Sequence, residues 1–280
     1  MPFHGVLPER RYLFKPEPLS DIGVNDKEAW RLNPKHRHIY NKLELALWQG
    51  LMAAPSETAP AKLGIEPEQQ VFVKPIRNLA GMSLNARTLA ARDVPREPGS
   101  FWCTQLMGQQ TSSDCFVQDG KPVWFAHTQA ACKKNKNRPV YWEIGVDLPE
   151  NEIIIRKFLD AQLSDYTGLL NVEIIDGYII EAHLRGSNAF FDFYGQQFIP
   201  TWVRLMDENQ YESLSPIPGG VVYSVFSDIP LAIDIHDWPY NDVSIQFDNV
   251  TPDRLCILRG QDLQRTSDAA KFVQDKIINA

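Results

Sequence analysis

Residues 169–185 constrain the fold of this chain more than any other segment, because they carry its clearest hairpin signal. Two strand-like runs flank Asp176-Gly177, and an Asp-Gly pair between alternating apolar residues favours a tight β-turn. Side chains alternate between the two faces of a strand, so each run has one apolar face and one polar face. The apolar face is predicted to contain Leu170, Val172, Ile174, Ile180, Ala182 and Leu184.

The register of this hairpin decides which polar residues meet. A strict two-residue turn would pair Glu173 with Ile180 and put a carboxylate opposite a predicted core residue. A bulged or three-residue turn instead pairs Glu173 with Glu181, and both apolar faces then enter one core. We therefore expect a bulge at Asp176-Gly177.

The predicted polar face of the hairpin carries Glu173, Glu181, His183 and Arg185. Two neighbouring carboxylates suit Mg²⁺, which commonly binds one or two carboxylates together with substrate phosphates and water. An arginine on the same face suits a transferring phosphoryl group, because its guanidinium binds phosphate oxygens with two parallel N–H groups. The alternative is an ordinary solvent-facing sheet surface with salt bridges, and the hairpin taken alone leaves both interpretations open.

This pattern resembles the metal-binding end of the ATP-grasp fold. In that family an acidic residue or glutamine on one strand is followed by Glu-x-Asn-x-Arg on the next. Here the residues are Glu173 and then Glu181-x-His183-x-Arg185, so His183 stands in place of the asparagine. The resemblance implies that Glu173 and Glu181 bind Mg²⁺. It also implies two catalytic residues, with Arg185 stabilising the transferring group and His183 orienting the metal shell or the substrate.

Upstream segments follow in the order that the family has. Residues 38–43 resemble the helix that opens the grasp region, and residues 50–55 resemble the exit from that helix. Residues 71–75 match a strand that ends in a lysine, and the resemblance implies that this lysine, Lys74, contacts the nucleotide phosphates.

Two further segments complete the resemblance. Residues 79–83 stand where the family has its flexible glycine-rich loop, which implies that Gly81 and Ser83 cover the phosphates. Residues 105–108 resemble the linker beside the adenine, which precedes a second predicted hairpin. The nucleotide-binding residues implied in this linker are Gln105, Leu106 and Met107. The implied cofactors are ATP and Mg²⁺.

The resemblance covers roughly residues 36–206 and implies an α+β chain with the ATP-grasp fold, in which two α+β subdomains clasp the nucleotide. Residues 1–35 have no clean periodicity and are predicted to form an ordered arm, a reduced form of the customary N-terminal domain. Residues 207–280 hold 12 acidic and 5 basic side chains, and we expect an acidic extension that completes or covers the site. Strands are predicted in it at 221–226, 231–235, 243–247 and 255–258.

Composition excludes several classes of protein. The formal net charge of −7 does not provide the basic field of a nucleic-acid-binding protein. No apolar run approaches the roughly 18 residues of a membrane span, and the N-terminus lacks a signal-peptide pattern. The four cysteines are widely spaced without a CxxC pair, so reduced thiols and a cytoplasmic location are expected.

One basic cluster has two interpretations. Lys133, Lys134, Lys136 and Arg138 lie close together after the second predicted hairpin. They form either a solvated surface loop or a loop that reaches the γ-phosphate or an anionic substrate.

The usual reaction of the family implies an ATP-dependent carboxylate–amine ligase. A small-molecule or peptide carboxylate would attack the γ-phosphate to give an acyl phosphate, from which an amine or another nucleophile would displace phosphate. Two alternatives stay open: a small-molecule kinase built on the same fold, and a non-catalytic nucleotide-binding protein. A homo-oligomer is compatible with the sequence.

Overall fold

A computed structural model of the chain describes residues 2–80, 85–132, 134–135, 138–227, 238–248, 251 and 253–278. The described strands are β1 Phe3–His4, β2 Ile22–Gly23, β3 Ala53–Pro55, β4 Gln70–Pro75, β5 Arg87–Ala90, β6 Ser100–Thr104, β7 Thr111–Gln118, β8 Lys121–Ala130, β9 Lys134–Asn135, β10 Arg138–Pro139, β11 Tyr141–Ile144, β12 Gly168–Ile175, β13 Tyr178–His183, β14 Gly220–Phe226, β15 Val243–Phe247 and β16 Arg254–Gly260. The described α-helices are α1 Asp26–Leu32, α2 Lys42–Trp48, α3 Pro149–Gln162, α4 Phe198–Glu208 and α5 Leu263–Ile278. Short 3₁₀ helices occupy Pro8–Leu13, Pro34–Tyr40, Pro60–Leu63, Ala91–Asp93 and Asn188–Phe193.

Two antiparallel sheets organise the chain. Within the described residues, the larger sheet has eight strands in the order β13-β12-β7-β8-β11-β14-β16-β15. The smaller sheet has four strands in the order β3-β6-β4-β5. Antiparallel sheets with helices packed against them make this an α+β fold, as predicted.

Apolar side chains cover both faces of the larger sheet, because the residues of its central strands alternate between the two sides. On β7, Phe116 enters one core with α4, whereas Cys115 and Val117 enter the other with α3. The second core receives the apolar face of the β12–β13 hairpin, which includes Leu170 and Val172. This packing leaves the polar end of the hairpin directed toward the smaller sheet.

The hairpin has the predicted pairing but not the predicted bulge. Glu173 is paired with Glu181, and the register shifts immediately beyond Glu173. Asp176 and Gly177 both have positive φ, 51° and 79°, which is the geometry of an ordinary two-residue turn. That turn contains no extra residue. The extra residue of the returning strand is instead Ile180, which lies between the pairs Ile174–Ile179 and Glu173–Glu181.

This displaced bulge corrects one predicted core residue. Ile179 is 2% exposed and packs in the core. Ile180 instead lines the cleft between the two sheets. Because the bulge adds one residue before Glu181, the side chains that follow it change faces. Glu181 therefore still pairs with Glu173, and Ile180 points away from the apolar core.

The two ends of the chain are part of the main body. Residues 207–280 contribute β14, β15 and β16 to the larger sheet, so the sheet runs without interruption past residue 207. In residues 1–35, Phe3 and Phe14 lie in the same core as Trp202 of α4. The predicted strand at 231–235 lies outside the described residues.

Within the described residues, each helix is too short or too polar to cross a membrane.

Candidate functional site

A deep cleft separates the smaller sheet from the polar end of the β12–β13 hairpin. It contains about 940 Å³ of space that opens to solvent. Side chains from both sheets and from α2 line it, so neither sheet could form it alone. Its charged and polar lining residues are Lys42, Lys74, Asn78, Thr88, Thr104, Gln105, Gln110, Glu173 and Glu181.

Lys74 lies on the wall that the smaller sheet contributes. It is only 6% exposed, and its Nζ donates to the backbone oxygen of Ile180 at 3.0 Å. The rings of Phe72 and Phe101 lie 5.9 and 5.8 Å from this ammonium group. Burial lowers the pKa of Lys74, and Glu181 opposes that shift. An ammonium held in such a place is poised to receive an anion from the cleft.

The predicted linker forms the rim of the cleft. Gln105 and Leu106, two of the residues that the resemblance implies for nucleotide binding, line the cleft. Met107 has a different place: its side chain is 79% exposed, and its backbone N–H donates to Asp176 at 2.9 Å. The N–H of Gly108 donates to the same carboxylate oxygen at 2.9 Å. Asp176 therefore ties the linker to the turn of the β12–β13 hairpin.

Glu173 and Glu181 face each other across the hairpin, as the sequence predicts. Burial raises the pKa of Glu173, and the neighbouring Glu181 carboxylate raises it further. The side-chain amide of Gln110 donates to Glu173 at 2.9 Å. Two carboxylates on paired residues repel each other, so a cation or a proton shared between them is favoured.

Lys42 supplies one positive charge to this pair. Its Nζ lies 2.6 Å from Glu181 Oε1, and the lysine is 6% exposed. Burial acts to raise the pKa of Glu181, but Lys42, His183 and Lys74 outweigh it and hold that pKa well below its ordinary value. The surroundings therefore favour the ionised form of Glu181 and disfavour the ionised form of Glu173.

Asp26, at the start of α1, organises the next two residues of the polar face. Its carboxylate accepts from Arg185 Nε at 3.0 Å and from Arg185 Nη2 at 2.8 Å. It also lies 2.9 Å from His183 Nδ1. Burial opposes ionisation of Asp26, but Arg185 and His183 outweigh it and depress its pKa. The two predicted catalytic side chains are thus held by one carboxylate from the N-terminal arm.

Glu173, Glu181 and His183 fit a divalent cation. Each offers one donor atom, and these three atoms lie within 4.8 Å of one another. His183 Nε2 is 3.3 Å from Glu181 Oε2. Adjacent ligands of an octahedral ion, each about 2.1 Å from the metal, lie about 3 Å apart. The three donor atoms are therefore close enough together to share one divalent cation.

A second and larger cavity begins where the cleft ends. It contains about 1960 Å³ of space that opens to solvent. Glu173 and Glu181 line both spaces, so the acidic pair lies at their junction. The charged and aromatic residues that line the second cavity are Glu9, Asp26, Arg138, Trp142, Glu173, Glu181, Arg185, Phe190, Phe226, Phe247, Asp248 and Arg254.

Some predicted site residues lie outside the described part of the chain. These are Gly81 and Ser83 of the glycine-containing loop, together with Lys133 and Lys136 of the basic cluster. Arg138, the last residue of that cluster, is 7% exposed and lines the second cavity, so it does not belong to a solvated surface.

Two residues of the site had no role in the sequence-based prediction. Lys42 lay within a segment identified by resemblance, and an Asn-Lys pair that opens a helix was the signal that could have singled it out. Asp26 follows Asn25, which caps α1 by accepting from the N–H of Glu28. An acidic residue in a first helical turn is ordinary, so the sequence gives no sign of its contact with the hairpin.

Comparisons with known proteins identify the fold. No protein-family model matches the chain, and no curated protein is similar to it in sequence. Among solved structures, an L-amino acid ligase from Bacillus licheniformis matches with a TM-score of 0.61 and 13% identity, covering 90% of this chain and 76% of that chain. A carboxyaminoimidazole ribonucleotide synthase from Aspergillus clavatus, complexed with ATP, matches with a TM-score of 0.63 and 12% identity, covering 89% and 75%.

A third solved structure covers still more of the chain. The phosphoribosylamine–glycine ligase from Thermotoga maritima matches with a TM-score of 0.60 and 13% identity, covering 98% of this chain and 86% of that chain. All three are ATP-grasp ligases, and this chain has the ATP-grasp fold, as the resemblance implied. At these identities the likeness concerns the fold alone.

Proposed function

We propose that this chain is an ATP- and Mg²⁺-dependent ligase that activates a carboxylate as an acyl phosphate for attack by an amine or another nucleophile. The observation that carries the proposal is the position of Glu173 and Glu181 at the junction of two cavities. A reaction between a nucleotide and a second substrate needs two adjoining binding spaces. Between them it needs groups that stabilise the charge on the transferring phosphoryl group.

The residues divide between the two spaces. Lys74 and Lys42 would hold phosphate oxygens in the cleft, where both ammonium groups are nearly buried. Gln105 and Leu106 would contact the base from the linker. Gly81 and Ser83 are proposed to cover the phosphates. The second cavity would receive a small-molecule or peptide carboxylate and then the amine.

The junction would control charge during transfer. Glu173 and Glu181 would hold Mg²⁺, which would neutralise phosphate charge when bound. Arg185 would stabilise the transferring group, and Asp26 fixes the plane of its guanidinium with two hydrogen bonds. His183 would help to orient the ligands of the metal. We also propose a cytoplasmic location; the proposal requires no particular oligomeric state.

The decisive test of this function is substrate-dependent ADP release. The protein would be incubated with ATP, Mg²⁺ and pools of carboxylates and amines, with ADP and free phosphate measured separately and products identified by mass spectrometry. Equal amounts of ADP and phosphate that require both a carboxylate and an amine are expected. ADP without free phosphate would indicate a kinase instead, and nucleotide binding without turnover under every mixture would indicate a non-catalytic protein.

Replacement of Lys74 is expected to weaken ATP binding while the fold is kept. Lys74→Met preserves most of the buried stem and removes the charge, which should cost about 1.5–3 kcal/mol of binding free energy. Calorimetry with ATP measures the change. Lys62→Met, at an exposed lysine of the same subdomain, is the matched control and should bind ATP as the parent does. Equal affinity of Lys74→Met and the parent would remove Lys74 from the nucleotide site.

Release of the linker from the hairpin turn is expected to reduce nucleotide affinity as well. Asp176→Ala removes the acceptor of the Met107 and Gly108 N–H groups, so binding must order a looser rim. We expect a loss of about 1–2 kcal/mol in ATP binding. Asp119→Ala changes the other Asp-Gly turn, where Asp119 also has a positive φ of 47°, and controls for backbone strain. An equal loss of ATP affinity in both variants would contradict the role of the linker.

A further inference from the structure

His183 is oriented as a ligand more firmly than a surface histidine would be. It is 3% exposed, and the ring of Tyr40 packs edge-on against it with 5.8 Å between the ring centres. Its Nδ1 lies 2.9 Å from Asp26 Oδ1. A carboxylate accepts only, so this hydrogen bond assigns the proton to Nδ1. The other ring nitrogen, Nε2, is thereby turned toward Glu181, at 3.3 Å from Oε2, where a bound dication would take the place of a proton on Nε2.

This arrangement matches a recurring feature of metal centres. Histidine ligands commonly donate their second ring nitrogen to a carboxylate, which fixes the tautomer and orients the ring toward the metal. Here the carboxylate is Asp26, and the donor that faces the acidic pair is a nitrogen. In the ATP-grasp pattern this position is an asparagine, which offers a hard oxygen or no ligand. The histidine therefore replaces a third oxygen donor with a nitrogen donor, while Glu173 and Glu181 still offer carboxylate oxygens.

Resting on the proposed function, we propose that His183 is a third ligand of the metal and that it shifts the preference of the site from Mg²⁺ toward first-row transition-metal dications, Mn²⁺ or Co²⁺. Mg²⁺ is a hard cation that prefers an all-oxygen octahedron. Imidazole nitrogen raises the affinity of a site for first-row metals and does little for Mg²⁺. Mg²⁺ still binds through the two glutamates, whereas Mn²⁺ gains one further bond.

Pulsed electron paramagnetic resonance can detect this bond directly in the parent protein. The protein would be loaded with Mn²⁺ and a non-hydrolysable ATP analogue, once at natural abundance and once with ¹⁵N-labelled histidine. We expect a nitrogen coupling to Mn²⁺ that changes from the ¹⁴N to the ¹⁵N pattern in the labelled sample. The nucleotide and the lysines stay unlabelled, so such a change identifies histidine nitrogen as a ligand. This measurement needs no variant and is independent of turnover.

A competition measurement tests the preference itself. Mg²⁺ would be titrated against Mn²⁺ bound with the same analogue, and the released Mn²⁺ measured by continuous-wave resonance, for the parent and for His183→Asn. Loss of one metal ligand or its support commonly costs 10–100-fold in affinity, so the Mg²⁺ needed for half-displacement should fall about tenfold or more in the variant. Thermal unfolding verifies that the variant is folded. His38→Asn makes the same substitution at an exposed histidine and serves as the matched control.

The outcomes separate this inference from the proposed function. Metal-dependent nucleotide binding with no histidine coupling, or with the same Mg²⁺/Mn²⁺ competition in parent and His183→Asn, would overturn the inference and leave the ligase proposal standing. Nucleotide binding that neither metal affects would overturn both. A histidine coupling together with a tenfold weaker competition by Mg²⁺ in the parent would support the assignment.

Discussion

Glu181→Gln is expected to lower ATP-dependent turnover by about 100-fold or more, because it removes one of the two carboxylates proposed to hold Mg²⁺ at the junction of the two cavities. Glutamine keeps the shape and one acceptor, so Lys42 retains a hydrogen-bond partner but loses its counter-charge. The fold should therefore persist, with a free energy of unfolding lower by about 1–3 kcal/mol. Turnover is measured as ADP release, and unfolding by chemical denaturation.

The same variant separates metal binding from nucleotide binding. In the parent, Mg²⁺ with nucleotide should raise the unfolding temperature more than nucleotide alone, because the cation relieves the repulsion between Glu173 and Glu181. In Glu181→Gln this extra stabilisation should vanish. Glu66→Gln, at an exposed glutamate of the smaller subdomain, should behave as the parent does. Equal stabilisation with and without Mg²⁺ in the parent would show that the two glutamates are only a polar sheet face.

The sequence was sufficient to predict the pairing of Glu173 with Glu181, because this geometry is local. Side-chain alternation and the need to bury two apolar faces in one core require that Glu173 and Glu181 share a face. The observed pairing agrees. Parity does not specify where along the strand the extra residue lies, however. Asp176 and Gly177 form an ordinary two-residue turn, and the bulge lies in the strand at Ile180. Ile180 therefore lines the cleft.

Longer-range features could not be predicted in this way. The acidic composition of residues 207–280 predicted an extension that completes or covers the site, but composition reports surface charge and does not show which strands pair. β14 and β16 pair within the larger sheet, and the acidic side chains of residues 207–280 lie outside these two strands. Similarly, Met107 was grouped with the residues of the linker, although the contact with Asp176, 69 positions away, turns its N–H toward the hairpin.

Asp26 is the clearest example of a site residue that sequence patterns do not reveal. It lies 157 positions before His183 and 159 before Arg185, and neither periodicity nor motif spacing connects residues so far apart. The tertiary fold places Ala29 of α1 in the same core as the apolar face of the hairpin, and this brings the Asp26 carboxylate to the polar face. The N-terminal arm therefore belongs to the site, and its role can be tested by a single substitution.

Asp26→Ala is expected to lower the free energy of unfolding by about 3–5 kcal/mol, since it leaves the nearly buried guanidinium of Arg185 without its counter-charge. The side chains of Asp26 and Arg185 are 6% and 17% exposed, so water cannot replace the lost partner well. Chemical denaturation measures the change. The matched control is Asp21→Ala in the same arm: Asp21 pairs with His4 but is 65% exposed, and its loss should leave the free energy of unfolding nearly unchanged. Asp26→Asn keeps an acceptor for His183 Nδ1, so the variant should fold. Its turnover should still be reduced, because Arg185 loses one of the two oxygens that fix its guanidinium. A stability of Asp26→Ala equal to that of Asp21→Ala would contradict the role of Asp26 as the residue that holds Arg185 and His183 in place.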